Sequence, residues 1–336
     1  MEHKLLIDCY AHVLPPRYRD TLYRLTSQSS SQKKNIDSLV TLYDMEARFE
    51  VMDRYPGLVH VLVPSYPTLD DIPDRQTALD LARLYNDEMA ELIQKYPRRF
   101  VGAVATLPMG SIDDAVGEAE RAMDDLKFRG VNIYTPINDK PLDSPEFMPL
   151  YEKMADYGLP IWIHPRRAPD YPDYRTESKS LYEICRVYGW PLETTVAMHR
   201  LVYSGVLEKY PDLKFITHHC GGMVPYLADR IIGFRDQAEM RRKDDYPVRL
   251  KKHPIEYFKS FYNDTALYGN TAALMCAYDF FGADHLLFAT DFAHDNQQGD
   301  RYLRQTINAI SRMAVSDEEK TKIFEDNVRK LLRLPV

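Results

Sequence analysis

Short apolar runs recur along the chain, and each is followed by a longer amphipathic stretch. A short unbroken apolar run is typical of a buried strand, so the pattern predicts alternating strands and helices. The runs lack clean apolar–polar alternation, which is typical of parallel strands covered on both faces. The eight predicted strands span residues 4–8, 58–63, 100–105, 130–135, 159–164, 213–219, 261–264 and 286–291.

Two helices have clear sequence signals. The apolar residues between positions 112 and 126 keep helical spacing, and Ser111 before them is a suitable N-cap. Ser316 and Glu319 form a capping-box pattern at the start of the last predicted helix. Eight strand–helix units with no linker between them predict an α/β fold, a single (β/α)₈ TIM barrel over residues 1–336.

Two segments, at about 17–35 and 166–188, interrupt this rhythm as insertions. Long loops after barrel strands lie at the active-site face, so both are expected to wall the site. Within the first, the polar stretch 27–34 is expected to be a disordered loop. Glycine-rich nucleotide fingerprints follow none of the predicted strands, which argues against a dinucleotide or nucleoside-triphosphate fold.

The composition argues against nucleic-acid and membrane partners. The 43 lysines and arginines against 50 aspartates and glutamates give a net charge of −7, which leaves no basic face for nucleic acid. The four cysteines form no CxxC pair and are expected to be free thiols in a reducing compartment. No apolar stretch approaches the about 20 residues that span a bilayer, and the N-terminus lacks a signal-peptide core. A cytoplasmic protein with no membrane partner is expected.

Histidine and aspartate follow or end several predicted strands. His12 follows the first strand, His164 ends the fifth, His218 and His219 end the sixth, and Asp291 ends the eighth. The carboxyl ends of barrel strands converge on one mouth, so these side chains are expected to meet. A lone histidine at a strand end is often only a hydrogen-bonded polar residue, but the recurrence predicts a divalent metal site. Zn²⁺ is the first expectation and Mn²⁺ the second.

Other residues near these positions allow two interpretations. Gly221 and Gly222 either turn the chain or present amides to an anion at a helix N-terminus. Trp162 and Trp190 either line a pocket or pack in the core. Five histidines without a strand-end setting are interpreted as surface or core residues: His3, His60, His199, His253 and His285.

Several segments are similar, in order and spacing, to a known family. They read YPRRFVG at 96–102, TLPM at 106–109, GWPLETT at 189–195, HCGG at 219–222 and ATD at 289–291. The chain thereby resembles the amidohydrolase-superfamily branch that contains aminocarboxymuconate-semialdehyde decarboxylase and γ-resorcylate decarboxylase. The resemblance runs nearly end to end and implies a TIM barrel of the metal-dependent hydrolase type.

The resemblance also implies site residues. It places metal ligands at His12, His164 and Asp291. Counting back from Pro225 places the family's sixth-strand histidine at His219 rather than His218. Arg230 matches an arginine that reaches the substrate carboxylate in the neighbouring subunit, which implies a homodimer.

Three features depart from the family pattern. Tyr10 stands where the first histidine of the family's HxH motif is expected, and a neutral phenol is a poor metal ligand. His294 follows Asp291 closely and is either a proton shuttle or a solvated loop residue. The family's substrate-binding arginine in the first insertion has no match, and only Lys33 and Lys34 lie there.

The activity implied by the resemblance is a carboxy-lyase, a metal-dependent non-oxidative decarboxylase of an aromatic or unsaturated carboxylic acid. Asp291 and His219 are the acid–base candidates. The small-molecule acid would be held by Arg230, Tyr10, Trp190 and His294. Two alternatives stay open on the same barrel. One is a hydrolase of lactones or amides, or a hydratase. The other is a metal-free, non-catalytic relative, which the tyrosine at position 10 suggests.

Overall fold

The structure is a computed structural model that describes residues 5–26, 30–241 and 248–336. Strands and helices alternate through these residues, as predicted. His3 and the first residue of the predicted strand 4–8 lie outside the described residues. The strands are β1 Leu6–Val13, β2 Leu58–Pro64, β3 Phe100–Ala103, β4 Ala105–Thr106, β5 Val131–Thr135, β6 Ile161–Pro165, β7 Phe215–Thr217, β8 Tyr262–Asp264 and β9 Leu286–Leu287.

The strands form two parallel sheets, one in the order β1-β2-β3 and the other running from β4 to β9 in chain order. Only Val104 separates β3 from β4. Its N–H donates to the Leu62 carbonyl at 2.9 Å, and the next amide, of Ala105, donates to Gly130 at 2.9 Å. The two short strands therefore occupy one barrel position, which matches the single predicted strand at 100–105.

The last strand position lies beside the first. The Cys9 N–H donates to the Phe288 carbonyl at 3.0 Å, and Ala11 pairs with Phe292 in a parallel bridge. These contacts join the ends of the two sheets. The result is the α/β barrel with eight strand positions that the sequence predicts.

Two apolar layers result, because strand residues alternate between the barrel interior and the surrounding helices. On β2, Val59, Val61 and Val63 belong to the interior cluster, whereas Leu58 and Leu62 pack outward. The interior cluster also contains Trp162, whose Nε1 donates to the Cys9 carbonyl at 3.2 Å. Trp162 is therefore a core residue. The interior is filled below the mouth, so a site can form only at its ends.

Helices cover the outside of the barrel. Ser111 accepts a hydrogen bond from the Asp114 amide, and Ser316 and Glu319 form a capping box, so both predicted helix starts are confirmed. The helices are α1 Pro16–Leu25, α2 Ser30–Asp37, α3 Met45–Met52, α4 Arg75–Lys95, α5 Ile112–Asp124, α6 Met148–Tyr157, α7 Trp190–Tyr203, α8 Val206–Lys209, α9 Val224–Arg241, α10 Pro254–Phe258, α11 Thr271–Phe281, α12 Asp300–Ser311, α13 Asp317–Thr321 and α14 Asn327–Leu331.

The prediction of a disordered loop at 27–34 is wrong from residue 30 onward, where α2 begins; residues 27–29 lie outside the described residues. This helix is held against α1, because the Tyr23 hydroxyl donates to Asp37 at 3.3 Å and Lys33 lies over the Tyr23 ring. The second insertion is mostly irregular and ends in the π-helix Cys185–Gly189.

All four cysteines are free, as predicted. Within the described part of the chain, no helix combines the length and apolar character that a bilayer crossing requires.

Candidate metal centre

The histidines and the aspartate singled out by the sequence lie at the carboxyl ends of the strands. His12 is inside β1 rather than after it, because β1 continues to Val13. The register of β1 against β2 shifts between Asp8 and Ala11, which marks a β-bulge just before His12. His164 lies near the end of β6, and both His218 and His219 follow β7.

Asp291 is held in place by side chains rather than by a strand ladder. The predicted strand 286–291 ends early, at Leu287, because later groups bond to side chains. The Ala289 amide donates to Thr265 Oγ1 at 3.0 Å, and Thr290 Oγ1 donates to Asp8 Oδ2 at 2.5 Å. These bonds carry the chain to Asp291 at the mouth.

The side chains converge on one point. His12, His164 and His218 offer ligand atoms that all lie within 4.8 Å of one another, and Asp291 lies in a similar group with His12 and His294. His12 Nε2 is 3.3 Å and His218 Nε2 is 3.5 Å from the same Asp291 oxygen, Oδ1, yet neither ring nitrogen has a hydrogen-bond partner. Two buried ring nitrogens thus face one carboxylate oxygen.

In His12, His164 and His218, the hydrogen bond at Nδ1 determines which ring nitrogen faces the centre. His12 Nδ1 lies 2.8 Å from the Pro64 carbonyl, and His164 Nδ1 lies 2.8 Å from the carbonyl of Pro165. His218 Nδ1 is bonded to the Asp264 carboxylate. Because these acceptors require a proton on Nδ1, Nε2 is the nitrogen of each ring that can bind a cation. Three imidazole Nε2 atoms and one carboxylate make a donor set that fits a divalent cation.

Burial keeps several of these rings neutral. It lowers the pKa of His164 well below its ordinary value, with the nearby His218 adding to the effect. It also lowers the pKa of His219 to about 3 and that of His294 to about 4. A neutral imidazole is the form that binds a metal or accepts a proton.

At His218 and Asp291, neighbouring charged groups shift the pKa in the direction opposite to burial. Burial lowers the pKa of His218, but the carboxylates of Asp264 and Asp291 outweigh it and raise that pKa to about 9, so a cation that binds Nε2 would displace a proton from this ring. Burial raises the pKa of Asp291, but the His12 and His218 rings beside it outweigh burial and hold it well below its usual range. Asp291 is therefore an anion among imidazoles.

Aromatic side chains surround the centre. Tyr66 stacks on Trp190 with centroids 5.9 Å apart and 24° between the planes, and Trp190 stacks on His219 at 5.9 Å and 28°. Tyr134 lies 5.3 Å from the His164 ring, and the Tyr268 hydroxyl donates to Asp291 Oδ2 at 3.0 Å. Flat aromatic faces suit stacking with a planar ligand.

The other predicted site residues lie in different settings. His294 Nε2 is 3.3 Å from Ser65 Oγ, and its ring centroid is 4.9 Å from that of His12, so it belongs to the centre. Tyr10 is fully buried, and its ring stacks on His218. Arg230 is exposed on α9, where its guanidinium lies 4.5 Å from the ring of Phe234. Of the histidines outside the pattern, His60 is a core residue bonded to Arg48.

The sequence placed His218 among the residues expected to meet, but the count from Pro225 favoured His219 as the family's histidine. Sequence reasoning missed three other residues of this neighbourhood, Asp264, Tyr66 and Tyr268. Asp264 ends the predicted strand 261–264, and Tyr66 follows the predicted strand 58–63, so position alone could have drawn attention to both. Tyr268 carries no comparable signal, since it lies in an irregular loop.

The family assignment agrees with this geometry. The family model described as Amidohydrolase matches residues 7–334, and the chain belongs to that family.

Three relatives are particularly informative. A gamma-resorcylate decarboxylase from Rhizobium sp. (strain MTP-10005) is 31% identical over 296 residues, which cover 86% of this chain and 87% of the relative. The crystal structure of a 2,6-dihydroxybenzoate decarboxylase complexed with 2,6-dihydroxybenzoate is similar with a TM-score of 0.81 and 26% identity, covering 98% and 99% of the two chains. A dihydroxybenzoic acid decarboxylase from Polaromonas sp. JS666, with bound manganese and the inhibitor 2-nitroresorcinol, has a TM-score of 0.77 and 26% identity, covering 98% and 97%.

Proposed function

We propose that this protein is a divalent-metal-dependent, non-oxidative decarboxylase of a hydroxylated aromatic carboxylic acid. The observation that carries the proposal is the convergence of imidazole Nε2 atoms and Asp291 beside an aromatic wall. The relatives that act on such acids support it, because they cover nearly the whole chain.

The cation is assigned to His12, His164 and Asp291, the ligands that the sequence predicts. A bound divalent cation would fix the substrate's carboxylate and neighbouring hydroxyl and neutralise their charge. The donor types accept either Zn²⁺ or Mn²⁺. Manganese in the Polaromonas relative favours Mn²⁺, and the imidazole-rich set favours Zn²⁺.

Decarboxylation requires a proton at the ring carbon. The bond between the ring carbon and the carboxyl carbon breaks, CO₂ leaves, and a proton takes its place. We assign proton transfer to Asp291 and His219. Asp291 accepts a hydrogen bond from the Tyr268 hydroxyl, and His219 Nδ1 is buried without a hydrogen-bond partner.

Trp190 and His294 are assigned to the substrate, together with the Tyr10 hydroxyl, which is buried and has no hydrogen-bond partner. The stacked faces of Tyr66 and Trp190 would hold the ring of the acid, and His294 lies beside His12 at the centre. This arrangement favours a planar substrate over a flexible one.

A homodimer completes the proposal. On α9, Tyr226, Arg230 and Phe234 are spaced four residues apart and share one face, where Tyr226 is 82% and Phe234 54% exposed. A second copy covering this face would bring Arg230 to the substrate carboxylate of its neighbour, where a guanidinium can bind bidentately. The cytoplasmic location stays a prediction from the sequence.

Headspace CO₂ over a panel of hydroxybenzoates and muconates tests the function. Metal-loaded enzyme should release CO₂ and an equal amount of the decarboxylated arene from at least one hydroxybenzoate, and chelator should stop both. Acid released from lactones or amides without CO₂ would instead indicate a hydrolase. Water added to an unsaturated acid without CO₂ would indicate a hydratase.

A further inference from the structure

The residue at position 10 leaves the first strand one imidazole short of the family's HxH pattern. A neutral phenol is a poor metal ligand, and the Tyr10 side chain is fully buried. Its hydroxyl is buried and has no hydrogen-bond partner. Position 10 therefore supplies a ring but no ligand lone pair of imidazole type.

His218 brings an imidazole ring beside Tyr10. Its ring lies parallel to that of Tyr10, with centroids 4.0 Å apart and 14° between the planes, and both side chains are fully buried. Its Nε2 faces Asp291 Oδ1 at 3.5 Å, and its ligand atom lies within 4.8 Å of those of His12 and His164.

We infer that His218 is a direct ligand of the divalent cation and replaces the imidazole that Tyr10 displaces from the first strand. The ligand set becomes three imidazoles, from His12, His164 and His218, with the carboxylate of Asp291. The inference rests on the metal dependence in the proposed function and extends its ligand set.

Asp264 holds this ligand from behind. Its carboxylate accepts from His218 Nδ1 and from the amides of His219 at 3.1 Å, Cys220 at 2.8 Å and Ala266 at 3.1 Å. A carboxylate bonded to the outer nitrogen of a ligand histidine fixes the ring and raises the basicity of Nε2.

Tyr10 and His218 form a matched pair. Protein interiors are close-packed, so an imidazole in place of the larger phenol would leave a void beside the His218 ring. Tyr10 fills that space and gives the His218 ring a flat surface to lie on. The nitrogen lost from β1 is thus provided from the end of β7.

His219 has a different environment, although its ligand atom also lies near those of His218 and Asp291. Its backbone adopts a left-handed φ of 55°, and its ring stacks on Trp190 at 5.9 Å, which places it at the aromatic wall. This position suits a group that contacts the substrate.

Metal binding measured without substrate tests the inference. Dissociation constants for Mn²⁺ would be determined by electron paramagnetic resonance for His218→Ala and for His219→Ala as the matched control. Loss of an outer-sphere partner typically weakens metal binding roughly 10- to 100-fold, so Asp264→Asn should fall in that range and His218→Ala should exceed it. His219→Ala should stay within about threefold of the unsubstituted protein, since it removes no ligand.

A compensating variant makes the test sharper. Adding Tyr10→His to His218→Ala returns an imidazole to β1. The double variant should bind Mn²⁺ at least about tenfold more tightly than His218→Ala alone. His218→Ala binding within threefold of the unsubstituted protein would overturn the inference, as would equal losses in the His218 and His219 variants.

The number of nitrogen ligands can also be measured in the unsubstituted protein, so that this test does not depend on any variant folding correctly. Pulsed electron paramagnetic resonance of Mn²⁺ in protein with ¹⁵N-labelled histidine should report three coordinated imidazoles, whereas two would contradict the inference. Two imidazoles with CO₂ release would overturn this inference alone. Three without CO₂ release would overturn only the decarboxylase function.

Discussion

His12 Nε2 and Asp291 Oδ1, from opposite ends of the chain, lie 3.3 Å apart at the mouth of the barrel. The contact depends on closure of the barrel, because Asp8 on β1 accepts from Thr290 next to Asp291. The candidate metal centre is therefore built by the fold rather than by any local motif. Single substitutions can test the role of each residue in it.

His164→Ala should abolish metal retention, because it removes an inward lone pair from the buried cluster. The loss of affinity should exceed the roughly 10- to 100-fold typical of outer-sphere changes. Metal content after dialysis, measured by mass spectrometry, checks this. His253→Asn is the control, since His253 caps α10 away from the cluster and asparagine is also a good cap. Equal metal content in both variants would remove His164 from the ligand set.

Trp190→Ala should raise KM for the aromatic acid by roughly tenfold, about 1.4 kcal/mol, by removing a stacking face from the wall. The metal content should not change, since Trp190 offers no metal ligand. Trp190→Phe keeps a flat ring and should remain within about threefold of the unsubstituted KM. Steady-state kinetics on the active hydroxybenzoate decide the matter, and an unchanged KM for Trp190→Ala would place the substrate elsewhere.

Phe234→Glu should convert the dimer to a monomer, because it puts a charge on the apolar face of α9 that we propose a second copy covers. Light scattering after size-exclusion chromatography measures the mass. Leu25→Glu, at a position 54% exposed on α1, is the control and should stay dimeric.

Arg230→Gln should keep the dimer yet lower kcat/KM by roughly 10- to 100-fold through loss of a charged hydrogen bond. A monomeric unsubstituted protein, or a fully active Arg230→Gln variant, would contradict this arrangement.

Asp8 should make the stability of the protein fall between about pH 4 and pH 6. Burial raises its pKa from 3.8 to about 6, although hydrogen bonds from Thr290 and Tyr10 oppose it. In this window the unfolded carboxyl has lost its proton while the folded one keeps it, so the free energy of unfolding decreases as pH rises. The change amounts to about 3 kcal/mol and is complete above pH 6.

Other groups titrate in the same window, so the comparison with Asp8→Asn isolates this carboxyl. Raising the pH from 4 to 7 should lower the unfolding temperature of the unsubstituted protein relative to that of Asp8→Asn, because the asparagine side chain cannot ionise. Identical pH profiles would show that Asp8 stays ionised in the folded protein.

The barrel and the meeting of three candidate ligands could be predicted from the strand pattern. Apolar runs located the strand positions, and the carboxyl ends of parallel strands must share one face. The structure brings His12, His164 and Asp291 together at that face, as this reasoning expects. The helix at Ser30–Asp37 was missed because its polar residues resemble a loop, and its contacts with α1 are tertiary.

The place of His218 could not be read from register. Neighbouring residues on a strand point to opposite faces, so a strand reaching residue 219 would separate the two histidines. The strand stops at Thr217, and His219 turns with a left-handed φ, which leaves both rings at the mouth. The hydrogen bonds that His218 and His219 donate to Asp264 at this turn join segments far apart in sequence.

Anomalous diffraction from a crystal of the protein grown with Mn²⁺ would locate the bound cation itself. We expect one strong anomalous peak between His12, His164 and Asp291, about 2.0 to 2.3 Å from their ligand atoms. A crystal with no peak there, or with its manganese bound elsewhere, would contradict the claim that these separate strands create a single metal centre.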